Sequence, residues 1–393
     1  MNVLLLNAGS SSLKCSLIDS SDGNELARGL FDWASATTHY HFAVGDSAGR
    51  DEDLLWNGHA KAVARFLQDL TQAGSHLSIG AVGHRVVHGG AFTASVRVTP
   101  EVRERLASLI DLAPLHNPPS LATLTAAQDA LPNMPHVATF DTAFHATLPP
   151  EAWTYPIPGR WTKEWGLRRY GFHGLSHAYC ARRAVELLGS SRTGRLVICH
   201  LGHGCSASAV RDGQCIDTTM GFTPLDGLMM GTRCGSIDPS IVLQVQQHHG
   251  LTVEQVEKAL NKESGLLGVS GVSADMREVM DAARAGNRDA ELALAVYAHR
   301  VRQAIGALAV TLGGVDALVF TAGVGEHAAP MRESICAGLA CLGLTLDTAA
   351  NAERHPDADI ATADSAGRIL IIATREDVTM LREVLQVLAS PSK

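Results

Sequence analysis

The sequence predicts an α/β protein built from two related halves. Short continuous apolar runs alternate with helix-length segments, the pattern of strands and helices packed in layers. One strand-turn-strand plan occurs at the N-terminus and again about half a chain later, which points to a duplicated core. The length of 393 residues suggests two or three domains at about 150 residues each. Hydrophobic residues make up 46% and charged residues 18%, enough to bury large cores and too apolar for disorder.

The first element is the apolar run Val3 to Leu6. It runs into Asn7-Ala-Gly-Ser-Ser-Ser and a second run, Leu13 to Ile18, so a Gly/Ser turn joins two strands. The middle segment, Pro149 to Gly171, is rich in Pro, Trp and Tyr and lacks periodicity, and the domain junction is expected near its start. Leu196-Val-Ile-Cys-His-Leu, Gly202-His-Gly-Cys-Ser and Ala207 to Val210 repeat the first plan. Glu291 to Leu312 has apolar residues at helical spacing and stops at Gly313-Gly314, a helix C-cap. A third run, Ala317 to Thr321, leads into a glycine loop, Ala322-Gly-Val-Gly-Glu-His, ahead of a helix. That order presents backbone N–H groups to phosphate. Thr374-Arg-Glu-Asp377 reads as a capping box opening the last helix, to about Ala389. No linker of low complexity separates the halves, so they are expected to pack with a cleft between them.

The formal net charge is -8, which argues against a nucleic-acid binder working through a basic face. A small basic pocket for an anionic ligand stays open. No apolar run reaches the ~18 residues of a membrane span, and the N-terminus lacks the basic region of a secretory signal. The eight cysteines are scattered without a CxxC pair, as for reduced thiols, and a cytoplasmic location is expected.

Several constellations could carry chemistry. Asn7 to Lys14 brings hydroxyls, glycine and one lysine together, which suits phosphate oxygens, though it is not a Walker A loop and such a turn taken alone is more often just a hairpin. Arg85, in Gly83-His-Arg-Val-Val-His-Gly-Gly90, lies in an apolar strand and needs an anion or an internal carboxylate. Arg233 poses the same question. His173 and His177 are four apart, but Gly174 stands where a zincin helix has Glu, which speaks against a metal pair. His200 and His203 have no nearby Cys or carboxylate to complete a site, and no GxSxG elbow accompanies these histidines. Asp141 and Glu376 end a strand and open a helix, places from which carboxylates hold Mg²⁺.

Taken together these segments resemble the acetokinase family over essentially the whole chain. The matching motifs are Asn7 to Lys14, Gly83 to Gly90, Pro114-Leu-His-Asn-Pro-Pro119, Phe140-Asp-Thr-Ala-Phe-His145 and Tyr170-Gly-Phe-His-Gly-Leu-Ser-His177. His200-Leu-Gly, Met220 through Arg233, and Phe320-Thr-Ala-Gly-Val-Gly-Glu326 complete the set. The resemblance implies duplicated actin/sugar-kinase/Hsp70-like (ribonuclease H-like) domains with an interdomain cleft. It places residues 1–147 with 378–393 in the first domain and 148–377 in the second, the main nucleotide-binding half. It also implies a homodimer, and Mg·ATP-dependent phosphoryl transfer to acetate giving acetyl phosphate and ADP, with Mn²⁺ as an alternative metal and no nucleic-acid or membrane partner.

The resemblance also distributes roles. Asn7 and Glu376 would support the metal. Ser10, Ser12 and Lys14 would face phosphate. His200, Leu201, Gly202, His203 and Gly204, with Gly323, Val324, Gly325, Glu326 and His327, would carry ATP phosphates and ribose. Asp275, Met276 and Arg277 would take adenosine. Arg85 and His116 would hold the substrate carboxylate. Asp141 would be the catalytic acid, and His173 and Arg233 would stabilise the transition state. Val87, Leu115, Phe172 and Pro224 would wall a small acyl pocket, favouring acetate over propionate. His203 and His327 stand where the family has Asn, and Ser236 where it commonly has Asp.

Acetate is already ionised at neutral pH, so no base is needed to make the nucleophile, and Asp141 is expected to orient the metal or its water. Two alternatives stay open: a propionate or butyrate kinase with the same machinery, and a nucleotide-gated chaperone or filament protein on the same fold. The paired arginines and His173 speak against the second.

Overall fold

The computed structural model describes residues 1–113 and 116–390. The chain divides into two compact units, residues 1–146 with 375–393 and residues 147–374.

The first unit is built on an eight-stranded sheet. Its strands are β1 (Asn2–Ala8), β2 (Ser12–Asp19), β3 (Glu25–Asp32), β4 (Thr38–Val44), β5 (Arg50–Leu54), β6 (Ala81–Val86), β7 (Val96–Arg97) and β8 (His136–Phe140), in the spatial order β5-β4-β3-β2-β1-β6-β8-β7. The Gly/Ser turn folds β1 back on β2 in antiparallel register, with Asn7 opposite Lys14. β6 and β8 add in parallel on the other side of β1, the crossover geometry that needs an intervening helix. Leu4, Leu6, Leu13 and Leu17 meet Phe31, Tyr40 and Phe66 in the core. The last helix, Glu376–Ala389, packs on β1, β6 and β8. Gly83 permits this approach, because a Cβ there would lie 2.7 Å from Val384 Cγ2.

The second unit repeats the plan in six strands: β9 (Arg195–Leu201), β10 (Cys205–Arg211), β11 (Gln214–Thr218), β12 (Ala317–Thr321), β13 (Ala358–Asp359) and β14 (Arg368–Ile371). The order is β11-β10-β9-β12-β14-β13. β9, β10 and β11 are antiparallel, then β12 and β14 join in parallel, as β3-β2-β1-β6-β8 do in the first unit. The duplication read from two strand-turn-strand motifs therefore extends to five strands of each sheet. The 25-residue helix Arg288–Leu312 ends at Gly313, whose φ of 74° closes it in the left-handed region.

Two local expectations fail. The last helix starts at Glu376 without a side-chain cap. Thr374 instead shares a 2.8 Å hydrogen bond with Thr321 Oγ1, and its N–H donates to Glu326 Oε1 at 2.8 Å. The glycine segment after β12 is not a loop but a short helix, Ala322–His327. Buried Arg332 holds it by donating to the carbonyls of Gly325 and Glu326, each at 2.9 Å. The segment without periodicity, near residues 149–171, holds two short helices, Pro150–Trp153 and Gly159–Trp165. No helix of the described residues is long and apolar enough to cross a membrane.

Candidate active site

In the first unit, β6 and β8 run parallel in register, with Arg85 opposite Thr139. Arg85 thus stands beside the end of β8, where Asp141 follows. Arg85 Nε donates to Asp141 Oδ1 at 2.9 Å and Nη2 to Oδ2 at 2.6 Å, a two-bond fork. Nη1 donates to Asn7 Oδ1 at 3.0 Å and lies 3.5 Å from Glu376 Oε2. Asn7 Nδ2 donates to the same Glu376 oxygen at 3.3 Å. One guanidinium therefore binds two carboxylates and an amide brought from β1, β8 and the last helix.

The electrostatics follow from this packing. Burial works against the charge on Arg85, but Asp141 and then Glu376 outweigh it and hold the proton more tightly than usual. Burial pushes Glu376 above the ordinary carboxylate range, against the pull of Arg85 and Lys14 and with the repulsion of Asp141. Arg85 thus has the internal carboxylate partners that one of its two readings calls for. Val87, two residues on, is buried. His116 is half-buried, Ser12 is half-buried and Ser10 and Lys14 are exposed. Leu115 lies outside the described residues.

In the second unit, His173 takes the left-handed conformation, φ 57° and ψ 23°, at the start of the helix Gly174–Leu188. A non-glycine residue held there costs of order 1–3 kcal/mol and marks a constrained position. His173 Nδ1 meets Ser206 Oγ at 2.9 Å, and His177 Nε2 meets the same hydroxyl at 2.8 Å. His173 stacks on His200 with ring centroids 4.1 Å apart, and His200 Nδ1 meets Ser176 Oγ at 2.8 Å. The i, i+4 histidine pair is thus joined by a serine from β10. Among the described residues no cluster of three or more His, Cys, Asp or Glu is arranged to hold a metal.

Arg233 and His173 both crowd the turn between β9 and β10. A Cβ on Gly204 would lie 2.6 Å from Arg233 Nη2 and 3.3 Å from His173 Nε2. Arg233 Nη1 donates to the Pro224 carbonyl at 2.7 Å, and among the described residues the guanidinium has no carboxylate partner. Burial weakens its hold on the proton, opposed only by Cys205. A cation so placed has room for an anion. Phe172 and Pro224 are both buried.

A cavity of about 860 Å³ opens beside this turn. Gly202, His203, Asp275, Met276, Arg277, Gly323, Val324 and His327 line it, so most of the residues expected at the nucleotide meet there. His200, Leu201, Gly204, Gly325 and Glu326 do not line it. Leu201 is buried within β9, and the Gly325 carbonyl and Glu326 carboxylate serve the hydrogen bonds to Arg332 and Thr374. Met280, Arg284 and Pro330 also line the cavity and were missed. Met276, Met280 and Arg284 recur every four residues on one helix face, a signal present in the sequence. Asp275 is pulled down to about 2 by its hydrogen bonds from the Arg277 side chain and N–H. Burial lowers His203, Arg233 lowers it further, and Asp275 opposes.

The sequence model of the Acetokinase family matches residues 2–382. The acetate kinase of Rippkaea orientalis (strain PCC 8801 / RF-1) is 47% identical over 398 residues, covering 98% of either chain. Two solved structures superpose over nearly the full length. The crystal structure of acetate kinase from Porphyromonas gingivalis gives a TM-score of 0.89 at 38% identity, covering 98% of this chain and 99% of the other. That of a propionate kinase from Francisella tularensis subsp. tularensis SCHU S4 gives 0.92 at 40% identity, with the same coverage.

Proposed function

The chain belongs to the acetokinase family, and from that premise we propose that it transfers the terminal phosphoryl group of ATP reversibly to acetate, giving acetyl phosphate and ADP. It is a phosphotransferase with a carboxyl group as acceptor, of a family that uses ATP or ADP and a divalent metal. The observation that carries the reading is Arg233: a guanidinium without a carboxylate partner among the described residues, beside His173 at the glycine turn that borders the 860 Å³ cavity.

In the reaction a carboxylate oxygen of acetate bonds to the terminal phosphorus. The bridging oxygen of ADP leaves with the bonding electrons. No proton need move, because acetate is ionised near neutral pH. Catalysis then rests on positioning and charge. Arg233 and His173 are assigned to the charge on the transferring phosphoryl group. Gly202, His203 and Gly323 are assigned to the phosphates, and Asp275, Met276 and Arg277 to adenosine.

The first-unit cluster fits a divalent cation. It offers the Asp141 and Glu376 carboxylates and the Asn7 amide oxygen, all hard oxygen donors. Mg²⁺ typically takes one or two protein carboxylates and completes its shell with phosphate and water. We assign Mg²⁺, with Mn²⁺ as an alternative; when bound it neutralises phosphate charge. Asp141 then orients the metal or its water and does not take a proton. Asp141→Asn should therefore raise the metal concentration giving half-maximal rate. Unchanged metal dependence with a pH-dependent rescue of turnover would reverse that role.

Val87, buried two residues from Arg85, is assigned to limit acyl chain length. Propionate as the preferred acceptor is the second reading, favoured by the likeness to a propionate kinase. A coupled assay for acyl phosphate with acetate, propionate and butyrate tests both. Acetate should lead in kcat/KM, by ~10–200-fold per methylene at most. Propionate ahead would make the second reading correct, and phosphate release without acyl phosphate would reject both.

A cytoplasmic setting agrees with eight cysteines of which none forms a disulfide among the described residues. A homodimer is expected as well. Exposed Leu243 and Val253 supply apolar surface for it, and sedimentation velocity distinguishes it from a monomer.

A further inference from the structure

A second cavity, of about 650 Å³, lies entirely within the first unit. Its size falls in the ~300–1,000 Å³ range of small-molecule sites. Arg97 at the end of β7 and Arg103 on the helix Pro100–Ala107 both line it, with the Gln128 and Asn133 amides, Met134 and His136. An exposed arginine is satisfied by water and needs no partner. Here two of them line one cavity, and among the described residues neither has a carboxylate partner. Two acidic residues flank Arg103 in sequence, Glu101, which takes a hydrogen bond from Thr99, and Glu104, and among the described residues neither is ion-paired with Arg97 or Arg103.

The inner wall is also polar. His136 is 4% exposed and makes hydrogen bonds with the Leu131 carbonyl at 3.1 Å and His84 at 2.9 Å. Gln128 Oε1 is buried with no hydrogen-bond partner among the described residues. Since amide oxygen and nitrogen can exchange places, Gln128 can turn either a donor or an acceptor to a ligand.

We propose that this cavity binds a small phosphate monoester, distinct from the nucleotide. Arg97 and Arg103 would take the phosphate as charge-assisted donors. Asn133 and Gln128 would take hydroxyl or carbonyl groups, and Met134 a short carbon chain.

The test is calorimetric titration of the full chain with sn-glycerol 3-phosphate, then with inorganic phosphate. ADP, Mg²⁺ and acetate are present at saturation, a mixture that fills the catalytic site without turnover; ADP binding is verified first, so failure of the kinase reading is seen separately. One equivalent should still bind, and Arg97→Ala with Arg103→Ala should weaken it by about tenfold or more. Stronger binding of the ester than of inorganic phosphate should mark the use of the amide wall. Both arginines are exposed, so the variant should keep its melting temperature and kcat, and Arg97→Lys with Arg103→Lys should retain part of the affinity. No heat once the catalytic site is filled, equal affinity in the alanine variant, or no preference for the ester would each overturn the proposal.

Discussion

Arg85 grips Asp141 through two parallel hydrogen bonds, of 2.9 and 2.6 Å, while its third nitrogen reaches Asn7 at 3.0 Å. Glu376 shares that third nitrogen at 3.5 Å. Two carboxylates therefore depend on one cation. Arg85→Ala strips Asp141 of both donors of the fork and leaves Glu376 with the Asn7 amide, both at little exposure, a change that typically costs ~3–5 kcal/mol. Unfolding in urea should show a loss of that size, partly recovered by Mg²⁺, which supplies the missing positive charge. Arg85→Lys keeps the charge but loses the fork, so it should fold better than the alanine variant and still lose most kcat/KM. An alanine variant as stable and active as the parent would mean that the fork matters to neither.

Arg233 offers a sharper kinetic test. It has no carboxylate partner among the described residues, so its removal strands no buried anion. Arg233→Ala should lower kcat by ~10²–10³, or about 2.7–4 kcal/mol by analogy with loss of an oxyanion donor. KM for ATP and for acetate should change far less, because Arg233 is assigned to oxygens of the transferring group that it meets fully only in the transition state. A variant with raised KM and normal kcat would assign Arg233 to ground-state binding instead.

What the sequence made legible follows from range. Apolar runs interrupted by glycine and serine are local signals, and β1-β2 and β9-β10 form where those runs predict. The partner of Arg85 was not legible, because Asp141 lies 56 residues away and reaches it only through the parallel β6–β8 register. Thr374 was misread for a related reason. Its hydroxyl suits a cap, but a threonine 53 residues earlier takes it. The glycine segment Ala322–His327 looked like a loop, and the buried guanidinium of Arg332 caps its helical turn from ahead in the chain. Arg233 and His173 were legible as residues. Their meeting around Gly204 was not, since it depends on how two loops converge.

Ser206 is the residue the sequence hid most completely. Its hydroxyl lies 2.9 Å from His173 and 2.8 Å from His177, tying the left-handed His173 to the helix that follows it. Ser206 touches no reacting atom in the proposed mechanism and acts as a positioning residue. Ser206→Ala should lower kcat by about tenfold, equal to about 1.4 kcal/mol, with KM for ATP nearly unchanged. The pH dependence of kcat should shift as well, because His173 loses a hydrogen-bonding neighbour. A drop in thermal stability alone, with kcat and its pH profile intact, would make the serine purely structural.

The buried histidines of the first unit predict how stability responds to acid. Since a carbonyl only accepts, His136 Nε2–H donates to Leu131, so His136 Nδ1 accepts from His84 Nε2–H. His84 Nδ1 is then a buried lone pair with no partner among the described residues. Protonating it would bury a charge without an acceptor. Burial, and then the repulsion of His136, hold His84 down at about 3, and burial lowers His136 too. In the unfolded chain both titrate near 6.5. Below about pH 6.5 the unfolded state therefore binds protons that the folded state refuses, so stability is present above that pH and is lost as pH falls toward the folded value. The urea midpoint should fall steadily from about pH 7.5 to about pH 4.5. His84→Leu with His136→Leu removes both groups and should flatten that slope, whatever it does to the midpoint at neutral pH. An equal slope in the double variant would show that other groups govern acid stability.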